Sequence, residues 1–283
     1  MANKVAQAFG ENATIHDGVM RELAWRTQLY VIFILPRTGS TWLMEMAENS
    51  GVLGTPQEWF NEDWIHTAEL AMGCRPPQLV ATKCADEYLR KTVADYRSPY
   101  GIMGLQLSPY QARSVGDMLE TPRASIDLVT RFYLRRANIV GQAISLFRSV
   151  RSGFFHSYQD GAVSRSNLDT VEYDAEAIRS WCEHIVAGEV YFDRTFRRLG
   201  IAPACFTYED IVEKPRDVLA WMANCIDNRL DARNITAKSS RLSKLGGKSS
   251  EQWEQRFRAE QADYLVALDS RRPAVRSDFQ SDQ

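Results

Sequence analysis

Three groups of residues in this 283-residue chain have types and spacings that could do chemistry. The first is the run Pro36, Arg37, Thr38, Gly39, Ser40 and Thr41, followed by Trp42. Gly39 permits a tight turn and a close backbone approach to a ligand. The residues after it open a helical pattern, so their N–H groups would lie at a helix N-terminus. Unpaired donors and partial positive charge there favour an oxyanion. Thr38, Ser40 and Thr41 add hydroxyls, and Arg37 adds a planar, cationic fork of donors. The same residues would also serve as a plain Ser/Thr-rich helix cap. A P-loop kinase or ATPase fits less well, because GxxxxGK[ST] is absent and no lysine stands in the loop.

The second group begins with Arg135 and Arg136 at the end of a strand candidate. Asn138, Gly141, Ser145 and Arg148 then fall on one helical face by their three- and four-residue spacing. Ile139, Ala143, Ile144, Phe147 and Val150 supply the buried side. An ordinary amphipathic helix with surface arginines would show the same pattern. The third is Glu58, within Thr55, Pro56, Gln57, Glu58, Trp59 and Phe60. A carboxylate within reach of an acceptor hydroxyl is a suitable general base. Trp59 and Phe60 would either dry it and raise its pKa or form a sugar-stacking wall. Tyr208, at a strand end, suits a nucleotide contact, although a lone aromatic also suits the core. Residues 245–250 read as a loop over the nucleotide with Lys248 or Arg256 near phosphate, or equally as a solvated turn.

These groups need a scaffold. Tyr30–Leu35 is a continuous β-branched and aromatic run, as expected of a strand buried on both faces of a parallel sheet. A helix follows it until Gly51. Residues 78–97 read as an amphipathic helix, 101–107 as a strand and 110–119 as a helix. Residues 126–134 form a second clear strand candidate, followed by a helix over 139–150. A long helix covers 174–198 with Trp181, Tyr191 and Phe192 as anchors, then a strand over 204–208 and a helix near 215–226. The alternation predicts an α/β fold with a largely parallel sheet. Residues 1–24 read as a polar arm, 25–268 as the domain, and 269–283 as a polar tail that frays.

Composition excludes several classes. The 34 basic and 36 acidic residues nearly cancel, which argues against a nucleic-acid face but not against a local pocket for one anion. The five cysteines form no CxxC pair and read as reduced thiols of a cytoplasmic protein. The four histidines are scattered, so no metal site is expected. The run Leu29–Leu35 is far short of the ~20 residues that cross a bilayer, and the N-terminus lacks the apolar core of a secretory signal.

The motifs then carry a resemblance. PRTGSTW resembles the phosphosulfate loop of sulfotransferases that use 3′-phosphoadenosine 5′-phosphosulfate (PAPS). RTGSTWL followed by GVLGTPQEWF resembles the bacterial trehalose 2-sulfotransferase family. RRANIVGQAISLFRS, TYEDIVEKP and SEQWEQRF keep that family's order, extending the similarity over residues 28–258. The resemblance implies a P-loop-like three-layer α/β fold and transfer of a sulfuryl group from PAPS to a carbohydrate or glycan hydroxyl, without a metal. It implies donor contacts from Arg37, Thr38, Gly39, Ser40, Thr41 and Tyr208. It further implies a 3′-phosphate cradle of Arg136 and Ser145, Glu58 as general base, Arg37 as charge stabiliser, and a homodimer. Asn138 stands where relatives often have Asp, and Gln106 where many carry Lys. Two other readings remain open: a nucleotide-binding module without transfer activity, and a small-molecule kinase.

Overall fold

The apolar run near the N-terminus forms the middle of the sheet. The computed structural model describes residues 2–62, 65, 82–155, 168, 170–230, 235 and 248–279. In chain order the elements are α1 (Lys4–Gln7), α2 (Asp17–Arg26), β1 (Gln28–Phe33), α3 (Ser40–Ser50), α4 (Ala85–Tyr96), β2 (Ile102–Leu107), α5 (Pro109–Met118) and α6 (Pro122–Asp127). They continue with β3 (Thr130–Arg135), α7 (Ile139–Ser152), α8 (Ala175–Leu199), β4 (Ala204–Thr207), α9 (Tyr208–Glu213), α10 (Pro215–Ile226), α11 (Lys248–Glu260) and α12 (Ala262–Arg271). The helix expected over 78–97 starts at Ala85, residues 78–81 lying outside the described set. The strand expected from Ile126 starts at Thr130, because Pro122 opens a helical turn that takes Ile126 with it.

The four described strands run parallel in the order β2-β1-β3-β4. Strand alternation divides β1 between two layers. Leu29, Val31 and Phe33 join a core with α2, α4, α5 and the Phe192 and Phe196 rings of α8. Tyr30, Ile32 and Ile34 join another with α3 and α10. A further cluster packs α7 and α8 against α11 and α12. Gly104 is required by this packing: a Cβ there would lie 2.2 Å from the Tyr30 ring. The opening residues are not purely polar, since Val5, Phe9, Ile15 and Leu23 are buried in the first core.

The chain leaves β1 toward β2 on one side and later returns to β3 on the other. Between the carboxyl ends of β1 and β3 it therefore leaves the crevice where open α/β sheets bind ligands. Among the described residues no helix is long and apolar enough to cross a membrane.

Within the stretch read as a fraying tail, Arg272, Asp278 and Phe279 are tied down. Arg272 donates to the carbonyls of Arg136 and Ala137 at 2.6 and 2.9 Å. Asp278 exchanges bonds with Cys205 on β4, and Phe279 meets Trp221. Beneath this strap, Glu189 pairs with both Arg135 and Arg272 at 2.8 Å, all three side chains being buried. Glu189→Ala would leave two guanidinium groups without their shared counter-charge. We expect a loss of about 3–5 kcal/mol, read as a lower urea midpoint at unchanged slope.

Candidate functional site

Both arginine-bearing loops reach the same crevice. After β1 the backbone turns sharply, with Arg37 at φ 67° and Gly39 at φ 83°, both left-handed. For a non-glycine residue this conformation costs energy, and it persists only when neighbours fix it. Here they do: Gln142 Nε2 donates to the Pro36 carbonyl at 2.8 Å, and Arg136 Nη1 to the Arg37 carbonyl at 3.3 Å. Thr38 Oγ1 donates to Leu35 O at 2.8 Å, so this hydroxyl braces the loop. Gly39 caps α3, and a Cβ on it would lie 2.6 Å from the Tyr208 ring. Ser40 and Thr41 open α3, where the first N–H groups have no intrahelical partner.

The Arg37 side chain reaches across to α7, donating from Nε to Ser145 Oγ at 3.0 Å and from Nη1 to Phe155 O at 2.7 Å. Ser145 accepts this bond with its oxygen and keeps its own O–H to donate. Arg136 lies over the Tyr208 ring at 4.5 Å, a cation–π contact. Tyr208 is the first residue of α9, just past β4. Arg37, Gly39, Arg136, Ser145 and Tyr208 thus form one cluster. Gly141 makes room for Arg136 and Asn138: a Cβ there would lie 3.1 Å from Arg136 Nη2 and 2.9 Å from Asn138 Nδ2. Asn138 caps α7 by accepting from Gly141 N–H, and it also bonds Glu254 and Arg258.

Among the described residues neither Arg37 nor Arg136 has a carboxylate within salt-bridge distance, although Glu209 and Glu254 act on Arg136 from farther away. Burial, then the neighbouring Arg136 charge, pulls the Arg37 guanidinium down to about 10. Burial likewise lowers Arg136. Arg136 Nε is buried without a hydrogen-bond partner among the described residues. Two cations packed together in a desolvated crevice, beside a helix N-terminus, form a cradle for an anion. The preceding residue makes the contrast: Arg135 is neutralised by Glu189 and serves the fold.

Glu58 sits on the β2 side of this loop. Gln57 O accepts from Gln106 N–H at 2.8 Å, and Gln106 Nε2 donates to Ser40 O at 2.9 Å. Gln106 is buried and links the Glu58 segment to the loop after β1. Glu58 Oε2 accepts from Gln111 Nε2 at 2.8 Å. Burial pushes the Glu58 carboxyl above the ordinary carboxylate range, opposed by that hydrogen bond.

Trp59 and Phe60 do not form a sugar-stacking wall. Both are buried, Trp59 against Tyr96 and Phe60 against Tyr88, and Trp59 Nε1 donates to Thr55 O. Arg256 pairs with Glu260 and covers the Tyr173 ring, and Arg148 bonds Ser250 and Leu168. The segment 241–247 and the Lys248 side chain lie outside the described residues. Among the described residues no group of His, Cys, Asp and Glu could hold a metal ion.

Sequence reasoning missed two buried glutamines, Gln111 and Gln142, and noted Gln106 only as a departure from a lysine; all three are buried around the crevice. Neutral amides at irregular spacing leave no motif; only their placement in otherwise apolar stretches hints at them.

No curated protein matches the chain. A family model described as Stf0 sulphotransferase matches residues 29–260, from β1 to the end of α11, and so takes in both arginine loops and Glu58. That match covers well over half of the chain, and the chain belongs to the Stf0 sulphotransferase family.

Proposed function

We propose that the enzyme transfers a sulfuryl group from PAPS to a carbohydrate or glycan hydroxyl, with Glu58 as general base. The observation that carries the reading is the pair Arg37 and Arg136, buried together without a carboxylate salt-bridge partner among the described residues. PAPS would supply the activated sulfuryl group and two anionic ends. The N–H groups at the start of α3, with Ser40 and Thr41, would hold the phosphosulfate end. Arg136 and Ser145 would hold the 3′-phosphate, and Tyr208 would pack on the nucleotide side. Arg37, bonded to Ser145 while belonging to the loop, spans both ends and would stabilise charge gathering on the leaving phosphate. Glu58 would take the proton from the acceptor hydroxyl as its oxygen bonds to sulfur and the bond from sulfur to the phosphate oxygen breaks. The carbohydrate class rests on the likeness to trehalose-modifying enzymes.

Calorimetric titration of 3′-phosphoadenosine 5′-phosphate (PAP) and PAPS, beside ATP with and without Mg²⁺, tests the donor. Micromolar PAP binding with none for ATP is expected. A folded protein that ignores PAP would overturn the reading. Mass spectrometry of trehalose and a panel of other sugars after incubation with PAPS then tests the acceptor class.

A further inference from the structure

Gln111 is buried, and its side-chain amide is held at both ends. Its Oε1 accepts from Ser108 N–H at 2.8 Å, while Ser108 Oγ accepts from Gln111 N–H, a reciprocal cap on α5. An amide whose oxygen faces a backbone donor must present its NH₂ on the other side. That NH₂ donates to Glu58 Oε2. The start of α5 therefore dictates which way Gln111 points, and Gln111 dictates how Glu58 is oriented. Among the described residues no other side chain hydrogen-bonds this carboxylate, so Oε1 is left for an incoming hydroxyl.

We propose that Gln111 is the positioning residue of the Glu58 carboxylate, locking one oxygen so that the other faces the acceptor. The inference rests on the reading of Glu58 as the base. It explains why a neutral amide, rather than an arginine or lysine, suits this position. A cation there would hold Glu58 ionised but would lower its proton affinity, whereas an amide orients it at smaller cost in basicity. Charged groups on the surrounding elements are engaged elsewhere. Glu62 binds Lys4 and Tyr110, Asp86 binds His16, and Arg37 and Arg136 bind Ser145 and Tyr208. Arg113 and Asp117 on α5 are exposed. Burial and Gln111 are left to set the titration of Glu58.

The test is a pH titration by carbon NMR of the full chain labelled at the glutamate carboxyl carbon, with Glu58→Gln assigning the resonance. In Gln111→Leu the Glu58 midpoint should rise by about one unit, the effect of losing a donor to the ionised form. Gln111→Met carries the same test should the leucine variant not fold. Ser108→Ala weakens the cap but leaves the amide in place, so it should lower the melting temperature without moving the midpoint. A midpoint unmoved in Gln111→Leu, or moved equally by Ser108→Ala, overturns the proposal. The base reading fails separately, if Glu58→Gln keeps the wild-type rate of PAPS turnover with trehalose.

Discussion

Glu58→Gln should lower kcat by about 10²–10⁴-fold, the usual range for losing a positioned proton acceptor, while PAP binds as before. The amide keeps the shape of the side chain but cannot accept the acceptor's proton. The donor cradle, built on α3, α7 and Tyr208, is not touched by the change. The pH dependence sharpens the prediction. Burial disfavours the charged carboxylate, so the Glu58 pKa lies above 4.5. The wild-type rate should therefore rise with pH along a limb displaced above the ordinary carboxylate range, as Glu58 loses its proton, and Glu58→Gln should lack that limb. Stability moves the opposite way. The folded protein holds this proton more tightly than the unfolded chain, so the contribution is present below about 4.5 and is lost as pH rises through the folded value. Rate profiles and denaturant melts of both proteins between acidic and neutral pH check both signs. A Glu58→Gln enzyme with wild-type kcat would remove Glu58 from the chemistry.

The scaffold was legible because its signals are strong and local. Tyr30–Leu35 reads as a doubly buried strand, and the structure places β1 between two parallel neighbours. The helix read at 215–226 matches α10, where Pro215 supplies the opening φ. The misplaced start of β3 has the same kind of cause: Pro122 acts as a helix opener, and the apolar Ile126 was counted with the strand that follows. Residues beyond Ser270 were read as a fraying end because their polarity is a local property. The fixation of Arg272 and Asp278 depends on partners far away in sequence, Glu189 and Cys205, which no window contains.

The site was legible in part. The loop from Pro36 to Thr41 announces anion binding through Gly39 and its hydroxyls, and the structure places it at the crevice. Its division of labour was not readable, since Thr38 turns its hydroxyl inward to Leu35 and Arg37 reaches Ser145 on another helix. Arg135 and Arg136 are adjacent and chemically identical in the sequence. The strand ends at Arg135, and the two side chains part, one to Glu189 and one to Tyr208. The charge partner therefore separates the two arginines, and that is a tertiary fact.

This separation leads to the second large expected effect. Arg136→Met keeps an aliphatic stem over Tyr208 while removing a cation that Arg37 repels. PAP affinity should fall by about 2–5 kcal/mol, roughly 30- to 5,000-fold in Kd, the range for truncating a buried charge partner. The unliganded protein should melt close to the wild type, because relief of a guanidinium disfavoured by burial offsets the lost hydrogen bond to the Arg37 carbonyl and the lost cation–π contact with Tyr208. Arg135→Met should do the reverse, leaving Glu189 with Arg272 alone and reducing stability directly. Calorimetry with PAP and thermal melts of the two variants read both quantities. A large loss of PAP affinity with little loss of stability at Arg136, and a clear loss of stability at Arg135, would mean that the Arg136 charge is held for the ligand. Unchanged PAP affinity in a folded Arg136→Met protein would mean that the 3′-phosphate is held elsewhere.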